Sequence, residues 1–325
     1  MLAVATRLAR REALPLPIPA TYRYPDNPEA NESEWQELVI HELALSDWQR
    51  FSFRDELDLI GPIAQRVLRR HGLLAPSATY TVTPMLEAAA GGSLLTGIDG
   101  DGLLGAWGSG RAWGVLTGQL RPVPRDVLRI ARAAAPPALR QEWFRRRGRS
   151  EITWLKPAAR EALEALWAKE RASEPTRWDR RMSWWMRRRH LAVVRQSMDL
   201  LAADHDVRVS HPFMDPGVLA ALARFGGRSG FGDRAIAMRS LFGGFLPERV
   251  LLRSDKADFT GAVWNQKTRE FATAWEGGGL SSEIVDEEAL KPAWAVPDAR
   301  AGLLLQAAWL VSVDGQLEHQ ANCSL

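Results

Sequence analysis

The chain has 325 residues, 46% of them hydrophobic and 14 of them tryptophan, which is enough to bury a large core in one domain or two. Lys and Arg number 42 against 39 Asp and Glu, and a net charge of +3 makes no field strong enough to demand a nucleic-acid partner. The one cysteine, Cys323, lies close to the C-terminus, which excludes a disulfide framework, a CxxC metal site and a catalytic thiol within the fold, and fits a reducing cytoplasm.

In chain order, the run from Met1 to Arg11 places its arginines after a short apolar stretch and has no small-residue cleavage site. It reads as an amphipathic helix with Leu2, Val4, Ala5 and Leu8 on one face, rather than as an export signal. Pro15 to Pro19 break the pattern, and Ala20 to Tyr24 reads as a short strand ended by Pro25-Asp-Asn-Pro28. Asn31-Glu-Ser33 caps a helical run through Trp35, Leu38, Val39 and Leu43. A second helical stretch extends from about Asp55 to His71, kinked or split at Gly61-Pro62. Glu87 to Ala90 ends a further helix, which Gly91-Gly92 stops, and Ser93 to Thr96 is predicted as an inner strand. This alternation predicts an α/β region, a parallel sheet flanked by helices, over residues 1–120.

Over residues 121–325 the strand signal fades and apolar residues recur at helical spacing, so the second half is predicted to be mainly helical. Pro136-Pro137 and Glu174-Pro175 punctuate it, and with no long linker and no internal repeat the two regions are expected to pack as one unit. Ala301 to Val313, with Gln306 inside it, is a core helix by this reading, because it falls short of the ~20 apolar residues that cross a bilayer. The runs Arg145 to Arg149, Arg180-Arg181 and Arg187 to Arg189, with Trp184 and Trp185 among them, could track a nucleic-acid backbone. Interspersed acidic residues instead favour a solvated or partner-facing helical surface. Of the histidines, His205 and His211 are closest together, and none shows helical metal-ligand spacing.

The segment from Leu94 to Gly105 carries the most chemistry. A strand delivers Thr96-Gly-Ile-Asp-Gly-Asp-Gly102 at its C-terminal edge, where α/β sheets bind ligands. Its glycines let the backbone approach a polyanion, and Asp99 and Asp101 supply oxygen ligands suited to Mg²⁺. The same composition also describes an ordinary Asp-Gly turn.

Further along come Pro212-Phe-Met-Asp215, Arg234, Arg239, Leu246-Pro247 and Arg253-Ser-Asp-Lys-Ala-Asp-Phe259. In that order they resemble the C-terminal elements of the asparagine synthetase family, while Thr96 to Gly105 resembles its Ser-Gly-Glu-Gly-x-Asp-Glu-Leu-Phe-Gly turn and Asn31-Glu-Ser33 its Asp-Glu-Ser. The resemblance covers almost the whole chain and implies an ATP-pyrophosphatase-like fold. It also implies a reaction in which ATP converts a carboxylate to an acyl adenylate that an amine then attacks. Carried over by position, Thr96, Gly97 and Asp99 would lie beside the nucleotide, Asp101 would bind Mg²⁺, and Lys256 would steady the departing phosphates. Asp215 more plainly caps a helix. The implied partners are a small-molecule or peptide carboxylate, an amine, ammonia or glutamine nitrogen, and a separate glutaminase or partner chain; the short apolar runs argue against a membrane, and the interspersed acids disfavour nucleic acid.

The departures from the family pattern matter equally. Its Ser-Gly-Gly-x-Asp-Ser-Ser loop appears nowhere, and Met1 to Leu8 resembles the helix directly after that loop. Residues 1–120 are therefore expected to lack the first strand, leaving an inner sheet edge unpaired. Ile98 stands where the family has Glu, and Gly102 where it has another acid, which puts aspartate as substrate in doubt and favours a specialised carboxylate. An inactive copy acting as a partner-binding scaffold is the alternative.

Overall fold

The computed structural model describes residues 1–323 except 106, 148–150, 233, 254 and 299, and for residues 314–323 it describes only the backbone. Arg149 of the arginine run and Ser254 of the Lys256 loop thus lie outside the described residues. Helix α1 (Leu2–Arg11) leads into strand β1 (Ala20–Arg23), then α2 (Ser33–Glu42), β2 (Gln49–Ser52), α3 (Pro62–His71), α4 (Thr83–Ala88) and β3 (Ser93–Leu95). After β3 come α5 (Gly100–Leu104), α6 (Gly110–Leu116), α7 (Asp126–Ala134), α8 (Pro137–Arg147), α9 (Pro157–Ser173), α10 (Trp178–Met186) and α11 (Arg189–Ala203). Strand β4 (Arg208–Ser210) precedes α12 (Pro216–Gly226), α13 (Arg234–Phe242), shorter helices, and a last helix from Gly302 to Cys323.

The sheet is not one layer. β1 pairs in parallel with β2, with Ala20 opposite Gln49 and Arg23 opposite Ser52, and β3 pairs in parallel with β4, with Ser93 opposite Arg208 and Leu95 opposite Ser210. Among the described residues each pair is a separate two-stranded sheet, so the strand at Ser93 is not an inner one. Ala20 of β1 and Leu94 and Leu95 of β3 border the same two clefts. One of these is closed by α1 and α2, the other by α4 and α11. The free edges of the two sheets therefore flank a common space lined with apolar side chains.

Several expectations shift in detail. The helix expected from about Asp55 begins only at Pro62, where proline occupies the first turn and has no N–H to waste. Residues 55–61 instead turn around Asp58, which is fully buried and accepts from Ile60 N, Asn265 N and Thr268 N at 3.0, 3.0 and 3.1 Å. In α1 the packed face is Ala3, Thr6 and Ala9, with Leu8 46% exposed, because small residues let the helix approach Ile40, Leu43 and Leu45 closely. The α2 cap is also different in kind: Asn31 Oδ1 accepts from Ser33 N at 3.0 Å, and the Ser33 side chain makes no cap.

Besides the small cluster under α1, two larger cores carry the fold. The larger one joins Leu57, Leu59, Leu86, Trp264, Trp294 and Leu305, and Gln306, buried in the last helix, donates to Leu59 O and Ser77 O at 2.9 and 3.0 Å. This satisfies the polar group that the sequence placed inside an apolar helix. The second core gathers Leu103 and Leu104 of α5 with Trp107, Trp178, Met182 and Trp185. Burying those two leucines, each worth ~1.5–3 kcal/mol, fixes the segment after β3 from beneath.

Candidate active site

β3 ends at Leu95, and the chain turns through residues 96–99 into α5. Asp99 sits at the helix N-cap with φ +70°, a left-handed conformation that Asp tolerates better than most residues. That conformation splits the two carboxylates between two environments. Asp101 points outward, and its Oδ2 accepts from Lys256 Nζ at 2.7 Å, although the two are 155 positions apart. Arg234 Nε approaches its other oxygen at 4.0 Å. The Lys256 hydrogen bond holds the Asp101 carboxyl below its ordinary range, with Arg234 adding in the same direction against partial burial. Both members of the pair are open to solvent, at 62% and 75% side-chain exposure.

Asp99 faces the other way and accepts from Trp185 Nε1. Burial pushes its carboxyl above the ordinary value, and the Trp185 bond and the nearby Arg188 and Arg181 only partly oppose this. Arg181 is fully buried. Its Nε bonds Glu174 at 2.9 Å, its Nη1 and Nη2 donate to Leu103 O at 3.3 Å and Gly102 O at 3.2 Å, and its guanidinium lies 4.7 Å from the Trp185 ring. Those two carbonyls belong to the last turn of α5, which has no intrahelical donor left for them. Arg181 and Trp185, one turn apart on α10, thus hold the turn at both ends. Gly102 makes that approach feasible, since a Cβ there would meet Trp185 Cζ2 at 2.6 Å. The arginine run around Trp184 and Trp185 is accordingly not a purely solvated surface: Arg181 is interior, and Arg188, paired with Glu170 at 2.7 Å, stacks over Trp184 and Trp185.

Three clefts meet at Asp101. One of about 630 Å³ is lined by Glu32, Arg234, Arg253, Asp255, Lys256 and Phe259. One of about 490 Å³ lies between the turn, the start of α1 and α13. The third, about 420 Å³, is walled by Trp167, Glu170, Arg171, Trp184 and Arg188. Arg253 donates to Glu32 at 2.7 Å, so the Asn31-Glu-Ser33 segment and the Lys256 loop share the first cleft.

The other sequence candidates are placed differently. Gly97 lines both the cleft beside α1 and the cleft between the two sheets, whereas Thr96 lines only the latter of these. Thr96 Oγ1 lies 2.7 Å from His211 Nδ1, and burial lowers the His211 pKa, favouring the neutral ring. Asp215 caps α12 by accepting from Val218 N at 3.0 Å. Sequence reasoning did not single out Glu32, Glu174, Arg181 or Trp185 as parts of the site. The i, i+4 spacing of Arg181 and Trp185 was the available signal. Among the described residues no cluster of three or more His, Cys, Asp or Glu forms a metal centre, and no helix is long and apolar enough to cross a membrane.

This arrangement, an outward carboxylate–ammonium pair on a glycine-rich turn with arginines around it, suits a polyanionic substrate. A family model described as asparagine synthase matches residues 3–320, nearly the entire chain. The chain belongs to this family and so to a broad class of ATP-dependent amide ligases. No curated protein and no solved structure matches it.

Proposed function

We propose that this chain forms amide bonds through an acyl adenylate, releasing AMP and pyrophosphate, with Asp101 and Lys256 at the reacting phosphates. The observation that carries the reading is the 2.7 Å contact between these two residues at the junction of three clefts. Lys256 is a point charge on a long flexible stem in an exposed loop, suited to follow negative charge as it moves from the α-phosphate oxygens to departing pyrophosphate. Arg234 and Arg253 line the same cleft and would hold the polyphosphate while the carboxylate attacks.

Asp101 fits Mg²⁺ as a single ionised oxygen donor beside an arginine- and lysine-lined cleft, the usual pattern for an ion that keeps its waters and shares ligands with substrate phosphates. When bound there, Mg²⁺ would neutralise charge on the phosphate oxygens. Asp99, engaged by Trp185, serves the turn rather than the ion. Thr96 and Gly97 would place backbone, rather than charge, near the nucleotide. Ile98 stands in place of the acid that would bind ammonia for aspartate amidation, which favours a specialised small-molecule or peptide carboxylate that brings its own amine partner.

The test is product identity. Incubation with MgATP, a panel of carboxylates including peptides, and an amine should give AMP and pyrophosphate, with carboxylate-dependent ATP–pyrophosphate exchange that Lys256→Ala abolishes. ADP and phosphate as the only products would overturn the reading.

A further inference from the structure

Helix α7 is built inside out. Its sequence is strongly amphipathic, yet the side facing the protein is the charged one. Asp126 is its only fully buried residue, accepting from Arg111 Nε and Nη2 at 2.8 and 2.9 Å, from Arg129 Nη1 at 2.7 Å and from Val123 N at 2.9 Å. Arg132 also turns inward, over the Trp143 ring at 4.8 Å. The outward stripe is Val127, Leu128, Ala131 and Ala134, with Val127 and Leu128 each 71% exposed. These positions follow the i, i+1, i+4, i+7 pattern that normally faces a core.

The neighbouring helices extend the character of this layer. Leu116 at the end of α6 and Leu139 in α8 are 60% and 63% exposed, and α8 has no fully buried residue. Residues 111–149 contain ten arginines and two acids, a balance of +8 in a chain of net +3, so the remainder carries −5. Both acids, Asp126 and Glu142, are already paired with arginines of the same layer. A second copy of this face would meet an equal excess of arginine. An acidic protein surface would match the arginines, whereas a bilayer matches them and also takes in the apolar stripe beside them. Nucleic acid would find no exposed aromatic to stack on among the large apolar side chains that stand out here. A uniformly anionic surface with an apolar interior fits both halves of the observation.

We propose that the α6–α8 layer rests on an anionic lipid surface, with Val127 and Leu128 seated among the acyl chains and exposed arginines such as Arg121 and Arg125 on the headgroups. Among the described residues no helix is long and apolar enough to cross a bilayer, and lying on its surface requires none.

The experiment is vesicle flotation of the full chain, with phosphatidylcholine vesicles and with vesicles of equal parts phosphatidylglycerol and phosphatidylcholine. The expected result is partition onto the anionic vesicles only, weakening as salt rises from about 0.05 to about 0.5 M. Val127→Asp/Leu128→Asp should lower it by about tenfold or more, and Arg121→Glu/Arg125→Glu should lower it independently. Both pairs are exposed, so circular dichroism and ATP–pyrophosphate exchange should be unchanged. Absence of binding to anionic vesicles, equal binding to both kinds, or full binding by the Val127/Leu128 variant would overturn the proposal. So would self-association of the wild-type chain that the same variant abolishes, since a second copy would then be the occupant.

Discussion

Replacing Arg181 with Met tests whether the turn that carries Asp101 is held from α10. Met keeps an unbranched stem between Trp178 and Trp185 and so retains most of the packing, while the charge and its donors disappear. Breaking a buried ion pair by removing one partner typically costs ~3–5 kcal/mol. Glu174 keeps 21% side-chain exposure and can recruit water, which points to the lower end of that range. The bonds to Leu103 O and Gly102 O are long, at 3.3 and 3.2 Å, and add roughly 0.5–1 kcal/mol each. The expected loss is about 4 kcal/mol in urea unfolding, with ATP–pyrophosphate exchange falling because α5 loses its C-terminal donors. Removing the stranded charge as well, in Arg181→Met/Glu174→Gln, should restore about 2 kcal/mol. A single variant within about 1 kcal/mol of wild type, or a double variant no more stable than the single one, would refute the clamp.

Asp101→Asn should abolish pyrophosphate exchange while leaving the urea midpoint nearly unchanged, because its partner Lys256 is solvent-exposed and such pairs contribute little; a large stability loss with activity intact would contradict this. Gly102→Ala should cost ~1–3 kcal/mol and slow exchange, since the new Cβ would press on Trp185 Cζ2 at 2.6 Å, and an unchanged melting profile would count against that packing. Asp99→Asn keeps an acceptor for Trp185 without a charge to bury. Because the folded Asp99 pKa is raised above its ordinary 3.8, wild type loses stability as pH rises from 3.8 through the folded value, so the variant's relative stability should be greater at pH 7 than at pH 3. Urea titrations at the two pH values would show this, and a relative stability that falls with rising pH would exclude it.

What could be read from the sequence was the chemistry that announces itself locally. A glycine-rich stretch after a short apolar strand needs a turn wherever it occurs, and Pro136-Pro137 separates α7 from α8, which it opens. The strands Gln49–Ser52 and Arg208–Ser210 were not legible, because what pairs them is backbone. Their side chains are mostly polar and exposed, so no apolar alternation betrays them. The inversion of α7 was hidden for a related reason: periodicity says that a helix has two faces, and only the tertiary placement of Arg111 opposite Asp126 decides which face is inside. Arg181 read as a surface cation because the carboxylate and carbonyls that pair it are 7, 78 and 79 positions away.

The two kinds of ion pair around the turn differ in what they permit. Arg181–Glu174 is enclosed, with the guanidinium donating to two helix carbonyls as well, so releasing it would strand charge in a low-dielectric site. It is a fixed strut. Asp101–Lys256 lies in water, where an exposed pair contributes about 0–1 kcal/mol, and a bound polyphosphate can separate the two at little cost. Lys256 would then turn to phosphate oxygens, and Asp101, freed of its ammonium, would be open to a harder cation. A buried Asp101–Lys256 pair would be stronger but would hold the same charges away from the substrate. On the proposed reading, the solvent exposure that makes the pair unimportant for stability would also let it exchange partners, while the enclosed pair beneath holds the turn that carries Asp101.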